Sequence, residues 1–113
     1  MTDTKPALPE ATQLTLWKKP ACPQCTGATL GLAGEGVTPE FKELLAAENA
    51  GALAAFKANG FASAPIIQFP AVVDGDEVLF AAKTVAGNQV NDIEAYGAAV
   101  RELATRRELL VAA

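Results

Sequence analysis

The sequence predicts a single α/β domain whose strands and helices follow the order βαβαββα. Three observations carry this prediction: a short β-compatible run just before a helix start at Cys22, an alanine-rich helical stretch near the middle of the chain, and a turn signal at Asp74-Gly75 between two apolar runs. With 113 residues, the chain is long enough for one hydrophobic core. We therefore expect residues 13–113 to form one domain behind a loose leader, residues 1–12.

The first part of this domain is expected to be a βαβ unit. Residues 14–17 are short, apolar and typical of a buried first strand. The following helix is expected to begin with Cys22 as its N-cap and Pro23 at its first position, where a missing N–H has no helical partner to lose. Glycines after residue 30 limit the length of this helix, and residues 41–45 are expected to form the second strand.

The second part is expected to contain a helix, a hairpin and a last helix. Residues 48–59 favour a helix that is closed by Asn59-Gly60. Residues 66–73 and 77–82 flank Asp74-Gly75, a pair that tolerates the positive φ of a tight hairpin turn. The last helix is indicated by a cap-like Asn and Glu pair and by apolar residues at helical spacing. These residues are Asn91, Glu94, Ile93, Tyr96, Val100, Leu103 and Leu110.

Charge and hydropathy exclude two classes of partner. The chain has 9 Lys and Arg against 13 Asp and Glu, a net charge of −4, and no basic run that would neutralise nucleic-acid phosphates. The first residues lack the apolar segment of a secretory signal, and no later run is long enough to span a bilayer. We expect a cytoplasmic protein that binds neither nucleic acid nor membrane.

The chemistry is expected at Cys22 and Cys25, the only cysteines of the chain. In a reducing cytosol, a closely spaced pair is more often catalytic or metal-binding than a permanent staple. The chain has no histidine and no other cysteine, so a closed zinc site within one chain is excluded, whereas a metal or iron–sulfur cluster shared by two chains stays open. The spacing favours thiol–disulfide exchange.

The two cysteines are expected to have different roles. A thiolate, not a thiol, attacks a disulfide, and backbone N–H groups at a helix start stabilise negative charge. Lys18 and Lys19 add positive potential, so we expect the pKa of the Cys22 thiol to lie below its ordinary value. Cys22 is then the nucleophile, and Cys25, one turn further along the helix, is the resolving cysteine.

Two segments resemble the NrdH-redoxins, which are glutaredoxin-like proteins with a thioredoxin fold. Residues 17–25, Trp-Lys-Lys-Pro-Ala-Cys-Pro-Gln-Cys, resemble the family's aromatic-x-Lys-Pro-Ala-Cys-x-Gln-Cys signature. Residues 59–67, Asn-Gly-Phe-Ala-Ser-Ala-Pro-Ile-Ile, are similar to its Gly-aromatic-x-x-Ala-Pro-Val-Val segment. The resemblance covers about residues 14–96. It implies a thioredoxin-like fold of the glutaredoxin type, with a four-stranded mixed sheet flanked by three helices.

The resemblance also implies a function. A member of this family is a dithiol–disulfide oxidoreductase, a monomeric electron carrier in cell redox homeostasis that reduces a protein disulfide, that of a ribonucleotide reductase. Thioredoxin reductase recharges it with electrons from NADPH, and the carrier itself holds no bound cofactor.

The resemblance further implies a set of substrate-binding residues. Pro65 is expected to follow a cis peptide bond and to face the active site, so that Ala64 offers backbone hydrogen bonds to a substrate beside Cys22. Pro70 is the rival candidate for the cis bond, and we assign it instead to a bulge or an edge strand. The residues expected to bind substrate are Lys19, Pro23, Gln24, Ala64, Pro65 and Gly87.

The chain also departs from the NrdH pattern. Ala28, followed by Thr29, stands where the family has a threonine, and the Ser-Gly-Phe-Arg-Pro ending is missing. Residues 86–92 are nearer to the glycine turn that helps ordinary glutaredoxins bind glutathione. Two alternatives stay open: a glutaredoxin with glutathione as reductant or ligand, and a non-catalytic adaptor that binds a protein through the lengthened hairpin, residues 69–80.

Overall fold

Strands and helices alternate along the first half of the chain, and strands cluster before the last helix. The computed structural model describes residues 5–112, and within them the regular elements are six strands and three α-helices. In chain order these are β1 (Thr15–Lys18), α1 (Pro23–Gly34), β2 (Glu40–Glu43), α2 (Ala50–Ala58), β3 (Ile66–Phe69), β4 (Val72–Asp74), β5 (Glu77–Phe80), β6 (Lys83–Ala86) and α3 (Val90–Ala112).

Four of the strands form one mixed sheet in the order β2-β1-β3-β6. β1 is parallel to β2, with Leu16 beside Phe41, and antiparallel to β3, with Leu16 beside Ile67. β3 is antiparallel to β6. The predicted four-stranded mixed sheet with three helices is therefore confirmed, as is the βαβ unit at its start.

The predicted order βαβαββα is wrong between α2 and α3, where four strands replace the expected two. Pro70 interrupts the run 66–73, because proline cannot donate a hydrogen bond to a neighbouring strand, and divides it into β3 and β4. β4 and β5 form a separate hairpin through the predicted Asp74-Gly75 turn, with Gly75 at a φ of +59°. β6, which we did not predict, fills the sheet position beside β3, so the observed order is βαβαββββα.

The helices follow the prediction more closely. α1 begins after Cys22 and ends at Gly34, and α2 is preceded by a 3₁₀ turn, Ala47–Asn49. α2 ends at the predicted Asn59-Gly60 pair, with Gly60 at a φ of +88°. Within residues 5–112, no helix is long and apolar enough to cross a membrane.

The two faces of the sheet bury two separate clusters. Because strand side chains alternate between faces, Leu16 and Ile67 point to one side, whereas Trp17 and Ile66 point to the other. The large core, under α1 and α3, contains Leu14, Leu16, Ala28, Leu32, Ile67, Phe69, Val72, Ile93, Tyr96 and Ala99. The small core, under α2, contains Trp17, Leu44, Phe56 and Ile66. In the small core the rings of Trp17 and Phe56 meet edge to face, 5.2 Å apart.

The predicted leader has neither helix nor strand between residues 5 and 12, but it is attached to the domain. The carbonyl oxygen of Pro9 accepts a hydrogen bond of 2.6 Å from Nε2 of Gln68, whose Oε1 accepts one of 2.8 Å from the Trp17 indole. Leu8 packs against the small core. Residues 1–4 of the predicted leader, and residue 113 of the predicted domain, lie outside the described residues.

Candidate functional site

Cys22 occupies the N-cap of α1, as predicted. Its backbone is extended, with φ −120° and ψ 96°, and its Sγ accepts a hydrogen bond of 3.1 Å from the N–H of Cys25. Pro23 takes the first helical position, and the Cys22 carbonyl accepts the helical bond from the Thr26 N–H at 3.2 Å. The sulfur of Cys22 therefore lies against the positive end of a helix.

A disulfide joins Cys22 to Cys25, with 5.2 Å between their Cα atoms. Cys25, in the first turn of α1, is buried, with 5 % of its surface exposed, whereas Cys22 is half-buried. A thiol that approaches from solvent thus meets Cys22 first. In this oxidised state neither sulfur carries a titratable proton.

Ala21, the residue before Cys22, adopts a left-handed backbone with a φ of +52°. For a residue with a Cβ this conformation costs about 1–2 kcal/mol. It turns the exposed loop at Lys19 and Pro20 into the N-cap of α1. The local strain therefore falls next to the reactive sulfur, where strained backbone is often found in functional sites.

The peptide bond between Ala64 and Pro65 is cis, as the family resemblance implied. No other cis peptide bond occurs among residues 5–112. Pro65 is buried, and its carbonyl accepts a hydrogen bond of 2.7 Å from the N–H of Gly87. Ala64 lines a groove together with Cys22. The chain segments before β3 and after β6 are thus fastened to each other beside the disulfide.

Gln24 connects α1 to the turn before α3, a contact that the sequence did not reveal. Its Oε1 accepts a hydrogen bond of 3.2 Å from the N–H of Asn88. Gly87 has a φ of +86°, and a Cβ there would lie 3.1 Å from the same Gln24 oxygen. Gly27 leaves room for the Asn88 amide, which would lie 2.9 Å from a Cβ at that position. A Cβ at either glycine would therefore press on a polar side-chain end, and at Gly87 the positive φ disfavours other residues as well.

Two grooves open on either side of Cys22, and both are lined by Lys19, Ala21, Cys22 and Pro23. The first, which we name the α1–β2 groove, has a volume of about 650 Å³. Its remaining lining residues are Lys18, Cys25, Thr26, Thr29, Leu30 and Phe41. The second, which we name the proline groove, has a volume of about 310 Å³ and extends over Gln24 to Ala62, Ser63 and Ala64.

The residues predicted to bind substrate divide into two sets. Those that line a groove are Lys19, Pro23, Gln24 and Ala64. Pro65 and Gly87 are buried behind them and hold the neighbouring segments in place. Lys18, which we grouped with Lys19, also lines the α1–β2 groove, and its Nζ lies 3.6 Å from a Glu43 carboxylate oxygen.

Leu30 and Phe41 line the α1–β2 groove and were missed by the sequence analysis. Leu30 lies four residues after Thr26, on the helix face that turns away from Ala28 and Leu32 in the large core. A leucine on the solvent-facing side of a helix is the sequence feature from which this groove could have been predicted. Phe41 stands in an edge strand and gave no such signal.

No group of three or more metal-ligating side chains comes together within residues 5–112. Comparison with known protein families finds no family model that matches the chain, and no curated protein matches it significantly. The features of this region that bear on function are the disulfide, the helix start, the cis bond and the grooves around them.

Proposed function

We propose that this protein is a dithiol–disulfide oxidoreductase with a thioredoxin-like fold of the glutaredoxin type, most similar to the NrdH-redoxins. The observation that carries the proposal is the disulfide between a half-buried N-cap cysteine and a buried cysteine one turn later. The four-stranded mixed sheet with three helices and the cis Ala64-Pro65 bond beside this disulfide are compatible with the same assignment.

The reduced form would act in two exchange steps. The Cys22 thiolate attacks one sulfur of a substrate disulfide, forms a mixed disulfide and releases the other sulfur as a thiolate, which takes a proton from water. The Cys25 thiolate then attacks Cys22, re-forms the Cys22–Cys25 disulfide and releases the second substrate thiolate. Two electrons pass to the substrate, and the protein ends in the oxidised state that this structure holds.

The helix start supplies the activation of the nucleophile. The N–H of Cys25 already lies 3.1 Å from the Cys22 sulfur, and a hydrogen bond to the charged form lowers a pKa. Lys19, which lines both grooves, adds positive charge at the same point. We expect the pKa of the Cys22 thiol to lie below that of a free cysteine, which pH-dependent alkylation of the reduced protein would measure. An unshifted titration would contradict this activation.

The partners follow from the same proposal. The substrate is an oxidised protein disulfide in the cytoplasm, that of a ribonucleotide reductase, and thioredoxin reductase with NADPH recharges the monomeric carrier without a bound cofactor. Glutathione is the second candidate reductant, because the Gly87 turn lies against Gln24 in the proline groove. Activity with glutathione and glutathione reductase, but not with NADPH and thioredoxin reductase, would favour this second candidate.

The decisive experiment is trapping. Cys25→Ser should leave the mixed disulfide at Cys22 unresolved, so that the substrate stays covalently attached and can be identified by mass spectrometry. Cys22→Ser is the matched control and should trap nothing. If Cys22→Ser supported the same cellular role as the wild type, the protein would instead be a non-catalytic adaptor, and the redox proposal would be wrong.

A further inference from the structure

The α1–β2 groove has an apolar wall that begins at the disulfide. Leu30 is 67 % exposed and Phe41 is 42 % exposed, although both are large apolar side chains. The hydroxyls that share this wall are turned onto the helix: Thr29 donates to the Cys25 carbonyl at 2.8 Å, and Thr26 to the Cys22 carbonyl at 3.5 Å. The wall therefore offers apolar surface and few unpaired polar groups to a ligand.

Positive charge lies at the end of the groove where the disulfide opens. Lys18 is held by Glu43, at 3.6 Å, and its Nζ lies 5.0 Å from the centre of the Phe41 ring. Lys19 forms no ion pair with a carboxylate of residues 5–112. In a chain of net charge −4, Lys19 is therefore a cation that remains available for an acidic group of a partner.

We propose, on the basis of the redox function above, that the α1–β2 groove selects protein disulfides by the residues next to the reactive cysteine. The occupant is a cysteine-bearing segment of a protein substrate in which a large apolar side chain lies against Leu30 and Phe41 and a neighbouring carboxylate pairs with Lys19. An apolar side chain can be buried without polar groups that position it, so a wall with few unpaired polar groups suits such a side chain. A small polar thiol would need several such groups to be held in one orientation.

The groove lies where this selection can affect the reaction. Both cysteines line it, so a segment bound there has its disulfide next to Cys22. The chemical step is the exchange already described: Cys22 bonds to the substrate sulfur, the other substrate sulfur leaves as a thiolate, and Cys25 then displaces the second one. Binding in the groove changes the rate constant of the first step and adds no reactant.

Peptide disulfides test the proposal. Three short peptides with a central Phe-Cys-Glu, Phe-Cys-Lys or Ser-Cys-Ser sequence, each as its symmetric disulfide, are mixed with the reduced protein, and acid quenching with mass spectrometry gives the second-order rate constants. We expect Phe-Cys-Glu to react about tenfold faster than Ser-Cys-Ser, which corresponds to partial burial of one aromatic side chain. Phe-Cys-Lys should fall between the two.

Matched variants assign the preference to the groove. Leu30→Ser should reduce the ratio of the Phe-Cys-Glu to Ser-Cys-Ser rate constants several-fold, whereas Leu109→Ser, at a leucine with the same 67 % exposure on α3, should keep it. Lys19→Gln should reduce the ratio of Phe-Cys-Glu to Phe-Cys-Lys, and Lys57→Gln on α2 should not. Thermal unfolding by circular dichroism checks that each variant is folded.

The outcomes separate the two proposals. Equal rate constants for the three peptides, or ratios that survive both Leu30→Ser and Lys19→Gln, would overturn the selection by the groove and leave the redox function intact. Failure of the reduced wild type to react with any of the disulfides would overturn the redox function and the selection together.

Discussion

The two ends of α3 lie beside regions that are fastened in different ways. At its start, the turn at Gly87 is held by two backbone donors: the Gly87 N–H donates to the Pro65 carbonyl, and the Asn88 N–H donates to the side-chain Oε1 of Gln24. About 24 Å further along the helix, at 1.5 Å per residue, the hairpin of β4 and β5 is held by the apolar packing of Val72 and Phe80 and by the exposed ion pairs of Arg106.

The charge cluster at the hairpin involves three carboxylates. Arg106 lies 2.9 Å from Asp74 and from Glu77, and 3.0 Å from Glu102. This hydrogen bonding holds the pKa of Glu77 below its ordinary value. The difference teaches that the turn at Gly87 depends on backbone shape, which tolerates few substitutions, whereas the hairpin combines apolar packing with exposed charges, and its charges are weakened by pH and salt.

The largest expected difference between the two regions is in activity. Cys22→Ser should reduce disulfide exchange to the uncatalysed rate, because a serine hydroxyl cannot form the mixed disulfide. Arg106→Met should retain the wild-type rate, since it alters only the hairpin. Reduction of insulin disulfides by the protein with dithiothreitol measures both. A loss of activity in Arg106→Met would show that α3 couples the hairpin to the disulfide.

The next effect is on the stability of the hairpin region. Phe69 is 2 % exposed and packs against the rings of Phe80 and Tyr96, at 5.5 and 5.4 Å between centroids. Phe69→Ala should lower the free energy of unfolding by about 3–5 kcal/mol, measured with urea. Phe41→Ala, at a 42 % exposed phenylalanine, is the control and should cost clearly less. Equal losses would show that the aromatic cluster adds little.

A smaller effect compares the two glycine turns. Gly87 and Gly75 both have positive φ, so an alanine at either position should destabilise the protein by about 1–2 kcal/mol. Gly87→Ala should lose more, by about 1 kcal/mol, since its Cβ would press on the Gln24 oxygen that Asn88 uses, whereas Gly75 has open space around it. Urea unfolding of both variants gives the difference. A larger loss at Gly75 would contradict the contrast between the two regions.

The smallest expected effect is on the pH dependence of the hairpin. The lowered pKa of Glu77 means that its ionised form is favoured in the folded state, so this contribution is present at neutral pH and is lost as the pH falls through the lowered pKa. The protection factors of the amides in β4 and β5, which are corrected for the intrinsic slowing of hydrogen exchange in acid, should therefore fall on acidification in the wild type.

Two variants isolate this contribution. In Arg106→Met the hairpin should exchange faster already at neutral pH and should respond less to acid than the wild type. Arg107→Met, which changes the neighbouring arginine, should behave as the wild type. If hairpin protection in Arg106→Met equalled that of the wild type at neutral pH, the charge cluster would have no role in holding the hairpin.

The start of α1 and the tight turns were largely predictable from sequence, because their signals are local. A proline after a cysteine specifies a helix start, and the confirmed N-cap at Cys22 and the end of α2 at Asn59-Gly60 follow from such short-range rules. The Asp74-Gly75 turn was predictable for the same reason. The cis bond at Pro65 came from the family resemblance, since most prolines follow a trans bond.

What the sequence did not predict depends on distant contacts. β6 is a four-residue strand that pairs with the edge of β3, a partner that the sequence pattern alone does not reveal. The contacts that hold β4 and β5 against α3, those of Arg106 with Asp74 and Glu77, join residues about thirty positions apart in sequence. Gln24 was assigned to substrate, and its contact with Asn88 emerged only when both segments were placed.

The amide of Gln68 has a consequence for how the chain is handled. This side chain is 4 % exposed and joins the Trp17 indole to the Pro9 carbonyl. A truncated form that starts at residue 13 would leave the Gln68 NH₂ group without that acceptor and would uncover the surface that Leu8 shields. Removing these residues to aid crystallisation should therefore lower the free energy of unfolding. The fluorescence of Trp17 should then report greater exposure of the indole to solvent.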